Sequence, residues 1–281
     1  MTANAPAPNP TAQLLQYRSQ LILHQTIAAV AKFSVATMSN RLSGKVGIIT
    51  GTGGGMGREA ALTIAREGAL IVGCGLYVED AEATVAAVRA AVGTMLSMQP
   101  CDLTQPGDCK ALVDFAVRTF GRVEVLFNNR LSALQLARRH FRRGVDRNRR
   151  CEVDLVFYLT RAAWPYLKAS RGVVVNTASL TALMSFKNRA LAHTTAKAGI
   201  IGMTRQLAME GRERGIRANS ISPGVIETNQ MREQLKDPEW DGYMLGKTPV
   251  GSPRPAGHSA HVLQHGIQIC SRRLSPDAIL P

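Results

Sequence analysis

The sequence predicts a three-layer αβα domain built on a doubly wound parallel sheet. Three observations carry that prediction. Short apolar runs alternate with helical stretches of about 10–15 residues, the pattern of repeated βαβ units. The first apolar run ends in a cluster of glycines. Apolar residues make up 45% of the 281 positions but aromatic ones only 5%, which suits tight βα turns better than a β-sandwich, and the length suffices for one full core.

A strand buried on both faces reads as a short continuous apolar run. Residues 45–50 (KVGIIT) form such a run, and a helix is expected over 56–67. Residues 69–74 (ALIVGC) give a second strand, followed by a strongly helical stretch at 79–92. A third strand at 94–99 leads into a helix over 106–120, and 123–128 (VEVLFN) is the fourth strand. A helix covers 152–168, a fifth strand 172–178 (GVVVNTA), a long helix 190–214, and a sixth strand 216–221 (IRANSI). Six strands joined by crossover helices make a doubly wound sheet.

Three stretches stand apart. Residues 1–40 open with Pro6, Pro8 and Pro10 and continue without an acid, so they read as a loose extension before a single domain at 41–281. The formal charge is +14, of which residues 1–46, 128–151 and 251–281 carry +4, +7 and +2, leaving +1 for the rest. Basicity confined to three atypical pieces is a weak footprint, and nucleic acid is not an expected partner. Residues 136–150 (LARRHFRRGVDRNRR) would carry charge on every face of a helix, so a solvated loop into the helix at 152 is expected.

No apolar run reaches membrane-spanning length. The five cysteines lack C-x-x-C spacing and read as reduced thiols, so the expected location is cytoplasmic. His258, His261 and His265 have no carboxylate or thiolate at matching spacing, and no metal site is expected.

Residues 50–57 (TGTGGGMG) link the first strand to the first helix. Glycines at that junction let backbone N–H groups approach a pyrophosphate, and the helix N-terminus favours the negative charge. This spacing resembles the short-chain dehydrogenase/reductase family, and further segments agree in order. They are Asp102 after the third strand, Asn128-Asn129 ending the fourth, Ser179 after the fifth, Lys197, and 223–228 (PGVIET). The resemblance covers about 42–127 and 152–250. It implies a Rossmann-like fold binding NAD or NADP through Thr50, Gly51, Gly55, Met56, Gly57, Asp102, Asn128, Lys197, Pro223, Gly224, Ile226 and Thr228. It further implies hydride exchange with a small-molecule alcohol or carbonyl, and a homodimer or homotetramer built on the helices at 152–168 and 190–214.

In that family a tyrosine moves the hydroxyl proton, a lysine four residues on holds the ribose, a serine binds the substrate oxygen and an asparagine supports a water relay. Here Ser179 and Lys197 match, but the tyrosine position is His193 and the asparagine position is Asp154. His193 and Lys197, at i and i+4, share one helical face. Imidazole is a competent acid or base, yet it is shorter than tyrosine, and a displacement of about 1 Å can cost roughly 10²-fold. Greatly reduced or absent turnover is therefore expected. The end of the second strand, Cys74-Gly75-Leu76, has neither an acid nor a base to choose between NAD and NADP. Two readings follow: a short-chain oxidoreductase with Ser179, His193, Lys197 and Asp154 at its centre, or a non-catalytic cofactor-binding or scaffold protein that keeps the fold.

Overall fold

A computed structural model describes residues 40–129, 141–184 and 190–228, together with 231, 236–238 and 254–255. The leading extension, the Arg-rich residues 130–140, most of the segment after Thr228 and the three C-terminal histidines lie outside the described residues. The strands are β1 (Val46–Thr50), β2 (Leu70–Cys74), β3 (Thr94–Met98), β4 (Val125–Asn128), β5 (Val173–Thr177) and β6 (Arg217–Ile221). They form one parallel sheet in the order β3-β2-β1-β4-β5-β6. The helices between them are α1 (Gly55–Arg66), α2 (Val78–Ala90), α3 (Pro106–Phe120), α4 (Phe141–Asn148), α5 (Leu155–Ser170) and α6 (Leu191–Gly211). A short parallel pair, β7 (Ile226–Glu227) and β8 (Arg254–Pro255), stands apart from this sheet. The expected strands and helices all form, with ends moved by at most three residues.

Strand residues alternate between two cores because successive side chains point to opposite faces. Ile48, Val72, Leu126 and Val174 pack on one face with Leu112 and Ala116 of α3 and Leu159 and Ala163 of α5. Ile49, Ile71, Phe127 and Val175 pack on the other with Ala60, Ala61 and Ile64 of α1 and Val88 of α2. Every residue of β1, β4 and β5 is buried, which is why those strands read as unbroken apolar runs. Each fully buried Leu, Ile or Phe contributes about 1.5–3 kcal/mol.

The Arg-rich stretch corrects one expectation. Its second half is not a loop: α4 is helical and runs through a π-helical turn at Arg149–Asp154 into α5. Residues 145–150 are exposed apart from a half-buried Asn148, as charge on every face implies. They are nevertheless helical because this helix needs no stripe of its own. It extends a buried helix, and propagation adds a hydrogen bond per residue without a new nucleus. Cys74, Cys101, Cys109 and Cys151 are free thiols. Burial, with Cys101, Asp108 and Asp102 nearby, pushes the Cys109 thiol up to about 12. No described helix is long and apolar enough to cross a membrane.

Glu124 pins the start of β1 to the start of β4. Its carboxylate accepts from Lys45 Nζ at 2.7 Å, the Val46 amide at 3.0 Å and Arg122 Nε at 3.0 Å. Burial opposes its ionisation, but these donors outweigh that and hold the group below its ordinary 4.5. A lowered folded-state value stabilises above the unfolded value and is lost as pH falls through the folded one. Glu124→Gln is expected to cost about 1 kcal/mol or less at neutral pH, since both cations are half-exposed and screened. Urea melts should show that difference vanishing below pH 4.5.

Candidate functional site

The strand order reverses between β1 and β4, so the crevice at their carboxyl ends is where this topology offers a site. Gly51 and Gly55 have φ of 69° and 51°, a region that favours glycine. Gly57 is fixed by crowding: a Cβ there would lie 2.1 Å from Gly51 O and 2.6 Å from Asn129 Nδ2. The loop is thus folded tightly back on the first turn of α1, where Met56 and Gly57 are buried. That turn holds no acidic residue, and Gly54 offers no side-chain cap, leaving the positive end of the helix dipole uncompensated. A dinucleotide phosphate fits such a terminus.

Thr50 and Asn129 lock this loop to β4. Thr50 Oγ1 accepts from the Asn129 amide, and Thr50 O accepts from Asn129 Nδ2, both at 3.0 Å. Asn128 turns inward: its Nδ2 donates to Asn176 Oδ1 at 2.8 Å and to Thr160 Oγ1 at 3.3 Å. Asn176 Nδ2 donates to Thr204 Oγ1 at 2.9 Å, and Thr204 donates to Ile200 O at 2.7 Å. This relay ties β4 to β5 and β5 to α6. Three buried acceptors or donors here, Asn128 Oδ1, Asn129 Oδ1 and Thr177 Oγ1, have no hydrogen-bond partner among the described residues. Buried polar groups ordinarily have one, so a polar ligand in the crevice is compatible with this edge.

His193 and Lys197 both lie on the buried face of α6, 7% and 1% exposed. Lys197 Nζ donates to Thr177 O at the end of β5, at 2.9 Å. Burial lowers the Lys197 pKa, and the negative charge of Glu152 opposes that shift. His193 Nδ1 lies 3.0 Å and 3.1 Å from the two carboxylate oxygens of Glu152. Ser179, two residues past β5, opens the 3₁₀ turn Leu180–Ala182 that packs against α6. Its Oγ accepts from the Thr181 amide at 3.3 Å and from Thr181 Oγ1 at 3.0 Å, so its own proton is available to a substrate oxygen.

The remaining candidates divide. Asp154 sits in the π-helical turn and accepts from Arg149 Nη1 at 2.9 Å; it is Glu152, not Asp154, that meets His193. Asp102 Oδ1 accepts from the Thr104 amide and hydroxyl, and its amide donates to Asp108 at 2.7 Å. Pro223 O accepts from the Leu180 amide at 2.9 Å, placing residues 223–228 beside the Ser179 turn. Gly224 is exposed, Ile226 is buried, and Thr228 reaches the loop, its Cγ2 lying 2.9 Å from where a Cβ on Gly55 would stand. Sequence reasoning missed Glu152, although a signal existed. Positions 152, 156, 159, 163 and 167 form the buried stripe of the α5 region, so a carboxylate stood on a core-facing stripe.

Comparison with known proteins is consistent throughout. The family model described as short chain dehydrogenase matches residues 45–239. A cyclohexanol dehydrogenase of Acinetobacter sp. (strain SE19) is 36% identical over 203 residues, 70% of this chain and 78% of that protein. The 7α-hydroxysteroid dehydrogenase of Escherichia coli (strain K12) is 29% identical over 235 residues, 82% of this chain and 89% of that protein. Among solved structures, a 7α-hydroxysteroid dehydrogenase complexed with NADH and 7-oxo glycochenodeoxycholic acid superposes with a TM-score of 0.75 at 28% identity, covering 81% of this chain and 88% of that one. An NAD⁺-bound xylitol dehydrogenase gives 0.74 at 28% identity, covering 80% and 92%.

Two outcomes test this geometry. Gly57→Ala should lose about 1–3 kcal/mol through backbone overpacking, whereas Gly54→Ala, with nothing within 4 Å, should change stability by no more than about 0.5 kcal/mol; chemical denaturation compares them. A lysine with a lowered folded-state value binds its proton more weakly than the unfolded chain, so stability rises with pH from that value towards 10.5. Lys197→Met should remove that component of the rise in denaturation midpoints measured from neutral to alkaline pH.

Proposed function

The chain belongs to the short-chain dehydrogenase family, and from that premise we propose an oxidoreductase that moves a hydride between NAD or NADP and the carbon bearing the alcohol or carbonyl oxygen of a small molecule. The observation that carries this reading is the buried His193/Lys197 pair, one helical turn apart, with Lys197 anchored on Thr177 O beside the Ser179 turn.

The glycine loop and the N-terminus of α1 would receive the pyrophosphate through Thr50, Gly51, Gly55, Met56 and Gly57. Asp102 and Asn128 border the same edge, and Pro223, Gly224, Ile226 and Thr228 cover the reactive end. When bound, the nicotinamide supplies or accepts the hydride. Lys197 holds the ribose hydroxyls as a cation. Ser179 donates its hydroxyl proton to the substrate oxygen, polarising a carbonyl or orienting an alcohol. His193 moves the proton to or from that oxygen. Asp154 stands at the family's asparagine position and is paired with Arg149. Exposed apolar side chains on the outer faces of α5 and α6, Phe157 and Met209, suit a homo-oligomer built on these helices.

Fluorescence titration of the full chain with NADH and NADPH tests the cofactor reading. Assays with cyclohexanol and 7α-hydroxysteroids, the compounds named for the relatives, test turnover. His193→Phe should lower kcat by about 10²–10⁴-fold and leave nucleotide affinity within about twofold. Failure to bind either nucleotide overturns the proposal, and binding without turnover leaves the scaffold reading in its place.

A further inference from the structure

Glu152 has no counterpart in the chemistry above, yet it is the most buried carboxylate among the described residues, at 1% exposure. Taking an ion out of water costs several kcal/mol unless partners compensate. The partners here are at the reaction centre: the His193 ring, whose Nδ1 meets both carboxylate oxygens, and the Lys197 charge. Carboxylate oxygens are acceptors, so a ring nitrogen facing two of them is suited to carry the ring proton, with the lone pair on Nε2. Nε2 has no hydrogen-bond partner among the described residues.

We propose that Glu152 is a positioning residue that makes His193 a proton carrier, by holding the ring as the Nδ1–H tautomer and leaving Nε2 for the substrate oxygen. The inference rests on the oxidoreductase reading and deepens it. In the oxidation direction the substrate O–H bond breaks and its proton passes to Nε2. The C–H electron pair leaves with its hydrogen as hydride to the nicotinamide of NAD(P)⁺, and the C=O double bond forms. The imidazolium produced is buried one turn from the Lys197 cation, an arrangement that repulsion would disfavour. The Glu152 carboxylate against Nδ1 offsets that repulsion. Reduction runs the same path backwards, with Nε2 returning the proton to the nascent alkoxide.

The backbone around Glu152 supports the assignment. Glu152 lies in the π-helical turn Arg149–Asp154, which packs against α6. A π-helical turn shifts the register of the following residues, and such turns are frequent at functional sites. Here one acid of the turn, Asp154, faces Arg149 while the other, Glu152, faces His193.

The test uses the full chain labelled with [¹⁵N]histidine, the His193 resonances being assigned by their loss in His193→Phe. The expected spectrum of the neutral ring has Nδ1 protonated and Nε2 unprotonated, and the Nδ1 proton should move upfield in Glu152→Gln. A neutral ring protonated at Nε2 overturns the proposal. Kinetically, Glu152→Gln should lower kcat by about 10²-fold, the scale of positioned proton transfer, with KM and NAD(P)H affinity within about twofold. Glu152→Asp, which keeps the charge, should recover part of that loss. An unchanged kcat in a folded Glu152→Gln protein overturns the proposal, because a counter-ion with a merely structural role would alter stability alone. If Glu152→Gln does not fold, the wild-type tautomer and the Glu152→Asp kinetics decide the matter. If no nucleotide binds, the oxidoreductase reading fails, while the tautomer still decides whether the pair exists.

Discussion

Burial of the Lys197 ammonium is the constraint around which this site is arranged. A cation 1% exposed needs a good acceptor and a nearby negative charge, or it loses its proton. Thr177 O at the end of β5 is the acceptor, and Glu152 supplies the charge. Both requirements bind α6 to the rest of the fold, one through the sheet and the other through the helix that leads into α5. His193 lies one turn earlier on the same face and is drawn into the same electrostatic group.

The sheet meets its side of this arrangement through side chains that look unremarkable one by one. Asn128, Asn176 and Thr204 run from β4 through β5 to α6, each donating to the next, and the last ends on a carbonyl of α6 itself. The relay is continuous, although Asn128 Oδ1 keeps no partner among the described residues. It joins α6 to the carboxyl end of β5. Thr50 and Asn129 perform the corresponding task for the glycine loop on the other side of the crevice. The proposed cofactor loop and proton-transfer group are therefore tied to the paired strands β4 and β5.

Replacement of an aromatic hydroxyl by imidazole would ordinarily leave the proton carrier both short and badly oriented. Glu152 bears on the orientation: its two carboxylate oxygens, 3.0 and 3.1 Å from Nδ1, hold the ring in place whatever its length. The expectation of greatly reduced or absent turnover rests on the reach of the ring and the charge at Asp154, and the carboxylate behind the ring is visible only in the structure.

The strands, the helices, their alternation and the glycine loop were legible in the chain, because these rest on local patterns: runs of apolar residues, three- and four-residue periodicity, and glycines where the chain must turn sharply. The shared face of His193 and Lys197 was legible too, since a four-residue spacing is set within one helix. The helicity of residues 141–150 was not legible, since it derives from continuity with the buried helix beyond them rather than from any stripe of their own. The inward turn of Asn128, the pairing of Asp154 with Arg149 and above all the meeting of Glu152 with His193 were decided only by the tertiary structure. Glu152 and His193 are 41 residues apart, and no local periodicity relates two elements whose packing is set by the sheet between them. The register of a π-helical turn against α6 chose which of two neighbouring acids would stand behind the ring, because only one of them lay on the stripe that had to be buried.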